Sequence, residues 1–500
     1  MIKKQGAKIF AAWSQRKNEK WIKNPLKTQE KVFRHLIKNG RRTLFGKDHK
    51  FEKIINIKSF QSNIPIRDYE GIRSYINKIF SGRQNILWPG KPLYFAKSSG
   101  TTSGIKYIPI TKDAIHQHIR AAREALLNYI YHTSNVGIVN GKHIFIQGSP
   151  LLDDKNGVSL GRLSGIVAHH IPSYLQKNRL PTWDTNCIED WEAKVNAIVD
   201  ETYDKDMTII GGIPSWVQMY FEKLVSKTSK NVGDLFPNFS LFVYGGVNFD
   251  PYKGLFRKLI GREPDSIEFY PASEGFFAYQ DNQNHNGLLL LLDHGIYYEF
   301  VVASTFFDQK PVIHYLNEVI LGVNYVMIIS TSAGLWRYNT GDTIKFINKY
   351  PFRIIVSGRL KHFISAFGEH VIVSEVEQSL KEAIEKTDEI IRVKEFTVAP
   401  QITPKAGLPY HEWFIEFETP PRGKDIFAAN IDYAMRNKNI YYNDLIEGKI
   451  LRPLVITEVQ KNGFQKYMKS IGKLGGQNKV PRVSDDRLIG DSLEKYIINV

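Results

Sequence analysis

The stretch Ser98-Ser99-Gly100-Thr101-Thr102-Ser103-Gly104-Ile105-Lys106 carries more hydrogen-bond donors than an ordinary turn requires. Its two glycines let the backbone curl so that several N–H groups converge on one anion, and Ser98, Ser99, Thr101, Thr102 and Lys106 add donors and positive charge. That chemistry suits a chain of phosphates. A flexible Ser/Gly turn is the plainer alternative, but hydroxyls bracketing Gly100 with a lysine at fixed distance favour the cradle. The spacing is not G-x-x-x-x-G-K-[ST], so a Walker A loop is excluded.

Phe269-Tyr270-Pro271-Ala272-Ser273-Glu274-Gly275 reads as a strand running into a loop. A carboxylate there can hold Mg²⁺ against phosphate oxygens, because magnesium commonly takes one or two carboxylates and fills its other positions with phosphate and water. Glu274 is the candidate ligand, and Tyr270 offers an aromatic face to a base. In Trp336-Arg337-Tyr338-Asn339-Thr340-Gly341-Asp342, ionised Asp342 is acceptor-only and can receive both vicinal hydroxyls of a ribose. A glycine pair, Gly245-Gly246, follows the apolar Leu241-Phe242-Val243-Tyr244. Such a pair lets a backbone come close to a ligand, though it is also an ordinary turn.

Taken in order, these segments resemble the adenylate-forming superfamily, and the long form of the first loop is similar to the auxin-responsive acyl-acid amido synthetases. Ile64-Pro65-Ile66-Arg67-Asp68-Tyr69-Glu70, Ile210-Gly211-Gly212-Ile213-Pro214-Ser215-Trp216 and Gln477-Asn478-Lys479-Val480-Pro481-Arg482 resemble further blocks of that family. The likeness runs from about Ile64 to Arg487. It implies a large multi-sheet α/β N-terminal domain over 1–356, a small mobile α+β domain over 357–500, and a hinge at Ser357-Gly358-Arg359-Leu360-Lys361. It also implies ATP and Mg²⁺ as cofactors, a carboxylic acid activated as its acyl-adenylate, and an amine acceptor, typically an amino acid. Under it, Ser98, Ser99, Gly100, Thr101, Thr102, Gly245, Gly246, Tyr270, Ser273, Asp342 and Arg359 hold the nucleotide. Lys106, Glu274 and Lys479 act in catalysis, with Lys466 and Lys473 close enough in sequence to compete for the part of Lys479. An acyl-CoA synthetase using a thiol acceptor is the nearest rival, but the chain lacks the Pro-Lys-Gly ending common to that group's loop.

The elements that must position these residues follow from periodicity. Apolar residues at helical spacing predict helices over Gln29–Asn39 and Tyr69–Phe80, the latter capped by Asp68. From Tyr94 onward, short apolar runs at His143–Gln147, Met207–Ile210, Leu241–Tyr244, Ser266–Tyr270 and Leu288–Leu292 alternate with helical stretches, the signature of an α/β core. A helix over Thr111–Ile130 presents Ile115, Ile119, Ala122 and Leu126 as a wall for an acyl group or as plain core. After Pro351 the pattern becomes a strand over Arg353–Val356, a helix over Ser374–Lys386, strands near Phe396 and Trp413–Phe417, and a helix over Asp425–Asn437.

The 500 residues imply two or three domains, and 42% hydrophobic with 12% aromatic residues excludes a disordered chain. Lysine and arginine exceed acids by 67 to 51. The resulting charge would attract any polyanion, yet no interleaved aromatic and basic motif accompanies it, so a nucleic-acid partner is not expected. The basic N-terminal segment with Ile9, Phe10, Trp13 and Trp21 could rest on a membrane surface; a helix docked on its own domain is the preferred reading. The apolar run Leu288–Leu292 is too short to span a bilayer, so no stable membrane insertion is expected. One cysteine, Cys187, excludes an internal disulfide, and with no apolar leader the expected location is the cytoplasm. His116 and His118 lie two apart on a helix, hence on different faces, and are not read as a metal pair.

Overall fold

The computed structural model describes the whole chain apart from residues 1, 99–105, 247–248, 361–362, 365, 368, 370, 403, 448, 450, 475–478, 485 and 499–500. The side chains of Ile2, Ser98, Tyr174, Trp191, Ser215, Asp250, Pro251, Arg359, Phe363, Ile440, Tyr441 and Asp444 also lie outside the description. Two compact units divide the chain: Met1–Thr340 with Lys345–Ile355, and Gly341–Ile344 with Val356–Val500.

The first unit is built on a long mixed sheet. One half is parallel, with neighbours in the order Arg179–Leu180, Lys142–Ile146, Met207–Gly212, Leu241–Gly245 and Asp265–Ala272. Strands buried on both faces read as continuous apolar runs, which is how Met207–Ile210 and Leu241–Tyr244 read in the sequence. Val217, Tyr220 and Phe221 from the helix Pro214–Thr228 pack with Ile144, Ile146, Ile210 and Phe242 in one buried cluster. From Asp265–Ala272 the sheet turns antiparallel through Gly275–Tyr279 and Leu288–Leu290, and reaches Ile296–Val302 paired with Asn324–Thr331. The five-leucine run therefore supplies a short buried strand, as its length predicts.

A second sheet, four strands in the order Lys106–Ile110, Tyr94–Ser98, Val158–Gly161, Asp153–Lys155, carries the two arms of the phosphate-loop segment. Thr111 caps the next helix, Lys112–Thr133, by accepting from Ala114 N. The N-terminal helix Ile2–Ile22 docks there: Ala11 joins Leu127 and Ile130 in a buried cluster, and Asn128 donates to Gln15 at 3.2 Å. Leu126 packs at the edge of the same cluster. Among the described residues no helix is long and apolar enough to cross a membrane.

The second unit is α+β. Its sheet orders Arg392–Gln401, Tyr410–Thr419 and Val455–Val459, and helices Val373–Glu385 and Lys424–Lys438 cover it through Val376, Leu380, Phe427 and Ile431 against Trp413 and Phe396.

A buried charge cluster in the first unit joins residues far apart in the chain. Arg120 on the helix Lys112–Thr133 donates to Glu124 and to Asp293, both at 2.7 Å, while His294 stands 2.8 Å from Asp293 and 3.3 Å from Glu124. When His294 is protonated, two cations and two anions neutralise one another inside the protein. Burial works against a charged His294, but Asp293 and Glu124 outweigh it and raise the imidazole's pKa. Burial likewise opposes ionised Asp293, yet His294 and Arg120 bring its pKa down to about 2. Asp293 therefore stabilises the fold above the unfolded carboxylate value near 4, and that stability is lost as pH falls toward about 2. The His294 share is complete below the unfolded value near 6.5 and is lost as pH rises through the raised folded value. The difference in Tm between wild type and His294→Gln should accordingly be largest between roughly pH 4 and 6.5 and shrink on the alkaline side. A difference independent of pH from 5 to 9 in thermal melts would show that the imidazolium contributes nothing.

Candidate active site

Ser98 and Lys106 face each other across an antiparallel pair, the last residue of one strand opposite the first of the next. The seven loop positions 99–105, with Ser99, Gly100, Thr101 and Thr102 among them, lie outside the described residues. Lys106 is half-buried at the exit of that loop. The arm beneath it is braced by the neighbouring segment: Tyr107 N donates to Tyr69 OH at 3.0 Å, and Tyr94 OH stands 2.9 Å from His170 Nε2. Tyr69 opens the helix Tyr69–Phe80, capped as predicted by Asp68 accepting from Gly71 N.

Gly245 and Tyr270 come together on adjacent parallel strands, with Gly245 opposite Phe269. A Cβ on Gly245 would lie 2.5 Å from Phe269 O, and Gly246 adopts φ 78°. Both positions therefore require glycine, the first for close approach and the second for a left-handed backbone. Val247 and Asn248 lie outside the described residues. Ser273 and Glu274 form the turn joining Asp265–Ala272 to Gly275–Tyr279, where Ala272 pairs with Gly275. Glu274 is half-buried, and among the described residues no group of three or more His, Cys, Asp or Glu gathers to hold a metal. A turn that offers fewer than three such ligands among the described residues fits an ion that draws its remaining ligands from phosphate and water, and does not fit a cage built from protein alone.

In the second unit, Asp342 is 5% exposed and its segment runs beside the hinge stretch. Leu360 N donates to Gly341 O at 2.6 Å, and Ser357 Oγ donates to Thr343 Oγ1 at 3.1 Å. Asp342 and the backbone of Arg359 are thus brought together; the Arg359 side chain and all of Lys361 lie outside the described residues. Lys479 is exposed, as are Lys466 and Lys473. The segment following Lys479 is pinned to the sheet: Val398 N donates to Arg482 O at 3.0 Å, Thr397 Oγ1 to Pro481 O at 2.6 Å, and Arg482 pairs with Glu395. Gln477 and Asn478 lie outside the description.

Three descriptions of one family match along this chain. The GH3 family N-terminal domain matches residues 14–181, the central domain 289–359 and the C-terminal domain 374–488. The chain belongs to the GH3 family. Among its relatives, a jasmonoyl–L-amino acid synthetase of Oryza sativa subsp. japonica is 23% identical, covering 85% of this chain and 86% of that enzyme. An indole-3-acetic acid-amido synthetase of Arabidopsis thaliana is 21% identical over 93% and 90% of the two chains. The match to a jasmonoyl–L-amino acid synthetase of Nicotiana attenuata, 24% identical, covers 57% of this chain and 60% of the relative. The fold of this GH3 chain is that of the solved GH3.15 acyl acid amido synthetase, with TM-score 0.77, 17% identity and coverage of 95% and 94%. A 2-hydroxyisobutyryl-CoA ligase shares it at TM-score 0.59 and 12% identity, over 94% and 90%. The expected large α/β domain with a smaller α+β domain is therefore borne out.

Sequence reasoning passed over Arg337, which belongs to the Asp342 motif but serves the frame around it. It takes φ 45°, its Nε donates to Glu299 at 2.9 Å, and its Nη1 donates to the carbonyls of Ile64 at 2.6 Å and Gln61 at 3.2 Å. Its own carbonyl accepts from Arg67 N at 3.0 Å, and Asn339 N returns a bond to Arg67 O at 2.7 Å. The segments Ile64–Glu70 and Trp336–Thr340 are therefore locked side by side. The only sequence signal was their joint presence as family blocks, which says nothing of contact. With Glu299 1% exposed, Glu299→Ala leaves a buried guanidinium without its acid and should lower the unfolding free energy by about 3–5 kcal/mol. Urea denaturation giving a loss below about 1 kcal/mol would reduce the pair to the worth of a surface contact.

Proposed function

We propose that this GH3 chain is an ATP-dependent acyl-acid amido synthetase, which joins a carboxylic acid to the α-phosphate of ATP and then passes the acyl group to an amine, an amino acid in view of the relatives' printed activities. The observation that carries this reading is the pairing of Gly245 with the strand Asp265–Ala272, which carries Tyr270 and leads into the turn holding Glu274, within a chain whose family is that of amino acid synthetases.

In the first half-reaction an already ionised carboxylate attacks the α-phosphorus and pyrophosphate leaves. No proton has to move, so positioning and electrostatics dominate. Ser98, Ser99, Gly100, Thr101, Thr102 and Lys106 would hold the phosphates and offset the charge that grows on pyrophosphate. Gly245, Gly246, Tyr270 and Ser273 would border the base, while Asp342 and Arg359 would fix the ribose. Glu274 would hold magnesium, which when bound neutralises phosphate charge. Lys479, carried on its pinned segment, would reach the reacting carboxylate, with Lys466 and Lys473 as the alternatives. The second half-reaction follows if the domain 357–500 pivots near Ser357–Lys361: the amine nitrogen attacks the acyl carbon, AMP departs, and the amine's proton is released. A cytoplasmic location accords with the single Cys187.

Lys106→Ala and Glu274→Ala should each lower acid-dependent ATP–pyrophosphate exchange by roughly one to three orders of magnitude, the loss expected for a charge-assisted contact made to the transition state. Exchange at wild-type rate in both variants would remove these residues from the site. Product analysis with amino acids against coenzyme A then decides the acceptor: an amide supports the synthetase, and a thioester would make the chain a CoA ligase.

A further inference from the structure

At the carboxyl end of the strand Lys142–Ile146 stands a group of polar side chains that the nucleotide chemistry leaves unused. Arg162 and Ser164 lie over Gly148, where a Cβ would be 3.4 Å from Arg162 Cδ and 3.6 Å from Ser164 Oγ. The Ser164 Oγ and the Nε2 of adjacent Gln147 are buried without a hydrogen-bond partner. Burial draws the Arg162 pKa down, and among the described residues no carboxylate acts against that shift. Lys194, 2% exposed, lies close by; burial and the field of Arg162 lower its pKa to about 8 in spite of Cys187. Lys194 Nζ is taken up by Asn186 O at 2.6 Å, so Arg162 is the cation that stands beside the two unpartnered polar atoms, and among the described residues no carboxylate faces it. Proteins rarely leave such groups unmatched unless a ligand completes them, and clusters of this kind mark binding sites.

The location gives the cluster a use. Ile146 pairs with Gly212, and Gly211 pairs with Val243. Gln147 thus stands on the same sheet edge as Gly245 and two strands away, about 10 Å at ordinary strand spacing. Resting on the amido synthetase reading, we infer that Gln147, Arg162 and Ser164 form a subsite for a second carboxylate on the acyl acid. The substrate class is then a compact dicarboxylate, one carboxylate being activated while the other is held by Arg162, whose planar fork can take it bidentately.

Matched pairs test this: hexanoate against adipate, octanoate against suberate, benzoate against terephthalate. In ATP–pyrophosphate exchange without any amine, the best diacid should show a KM at least about tenfold below its monoacid partner, as one charge-assisted contact provides. Arg162→Gln should bring that ratio close to one, with Arg162→Lys intermediate. The same diacid should raise the Tm of wild type, without ATP, more than its monoacid partner does. This second readout needs no chemistry, so it stands even if no acid supports exchange, an outcome that would count against the ligase reading alone. Equal KM values and equal Tm shifts within every pair would overturn the subsite. So would an Arg162→Gln variant that keeps the diacid preference and instead raises only the KM of an amino acid acceptor.

Discussion

The Arg337 guanidinium, held in a left-handed backbone and bonded to Glu299 and to two carbonyls of the 61–64 stretch, is the contact on which the first unit's site frame depends. It ties the segment leading to Asp342 to the segment ending at Tyr69, and Tyr69 OH in turn receives the amide of Tyr107, next to Lys106. A single buried charge thus sets the course of two segments that meet the nucleotide in the proposed reaction. The arrangement is demanding, because a buried arginine must find acceptors and an acid or lose its hydration without return. Glu299 meets that demand with a second bond of its own, accepting from Gln61 Nε2 at 2.7 Å.

Aromatic packing stiffens the same region. Trp336, fully buried, donates from Nε1 to Leu87 O at 3.0 Å and meets Phe51 edge-on at 4.8 Å. Gly334, at φ 86°, would place a Cβ 2.7 Å from the Leu87 backbone. The turn ahead of the motif therefore admits only glycine, and Thr111 Oγ1 donates to Ser332 O at 2.8 Å to fasten the start of the helix Lys112–Thr133 to it. Rigid support of this kind is what a reaction governed by positioning needs, since no proton transfer is available to compensate for a misplaced phosphate.

Much of this was legible in the sequence because it is local. The helix Tyr69–Phe80 announces itself through its Asp68 cap and apolar spacing, and the parallel strands through unbroken apolar runs. Gly245 was legible only as a close approach or a turn, and the 2.5 Å between its would-be Cβ and Phe269 O establishes the close approach. The partners were not legible. Glu299 lies 38 positions from Arg337, and Asp293 lies 173 from Arg120; no period or motif links residues whose proximity is created only by the fold. The same holds for Gln147, which reads only as the end of the run His143–Gln147, and for Arg162 and Ser164, which no motif singles out; they become a cluster only when the helix Leu163–Ala168 folds back over Gly148.

The two kinds of buried charge in the first unit point to different uses. Arg120 and Arg337 are each matched by carboxylate within 3 Å, so their charge is consumed in holding the fold and nothing remains for a ligand. Arg162 sits at the same edge of the parallel strands as Gly245 with no acid among the described residues to balance it, and burial without a counter-charge is sustainable only if solvent or a bound anion provides one. The grouping of Arg162 with the unpartnered Ser164 Oγ and Gln147 Nε2 around Gly148, more than the lack of an acid by itself, separates the frame of this enzyme from the surface assigned to its acid.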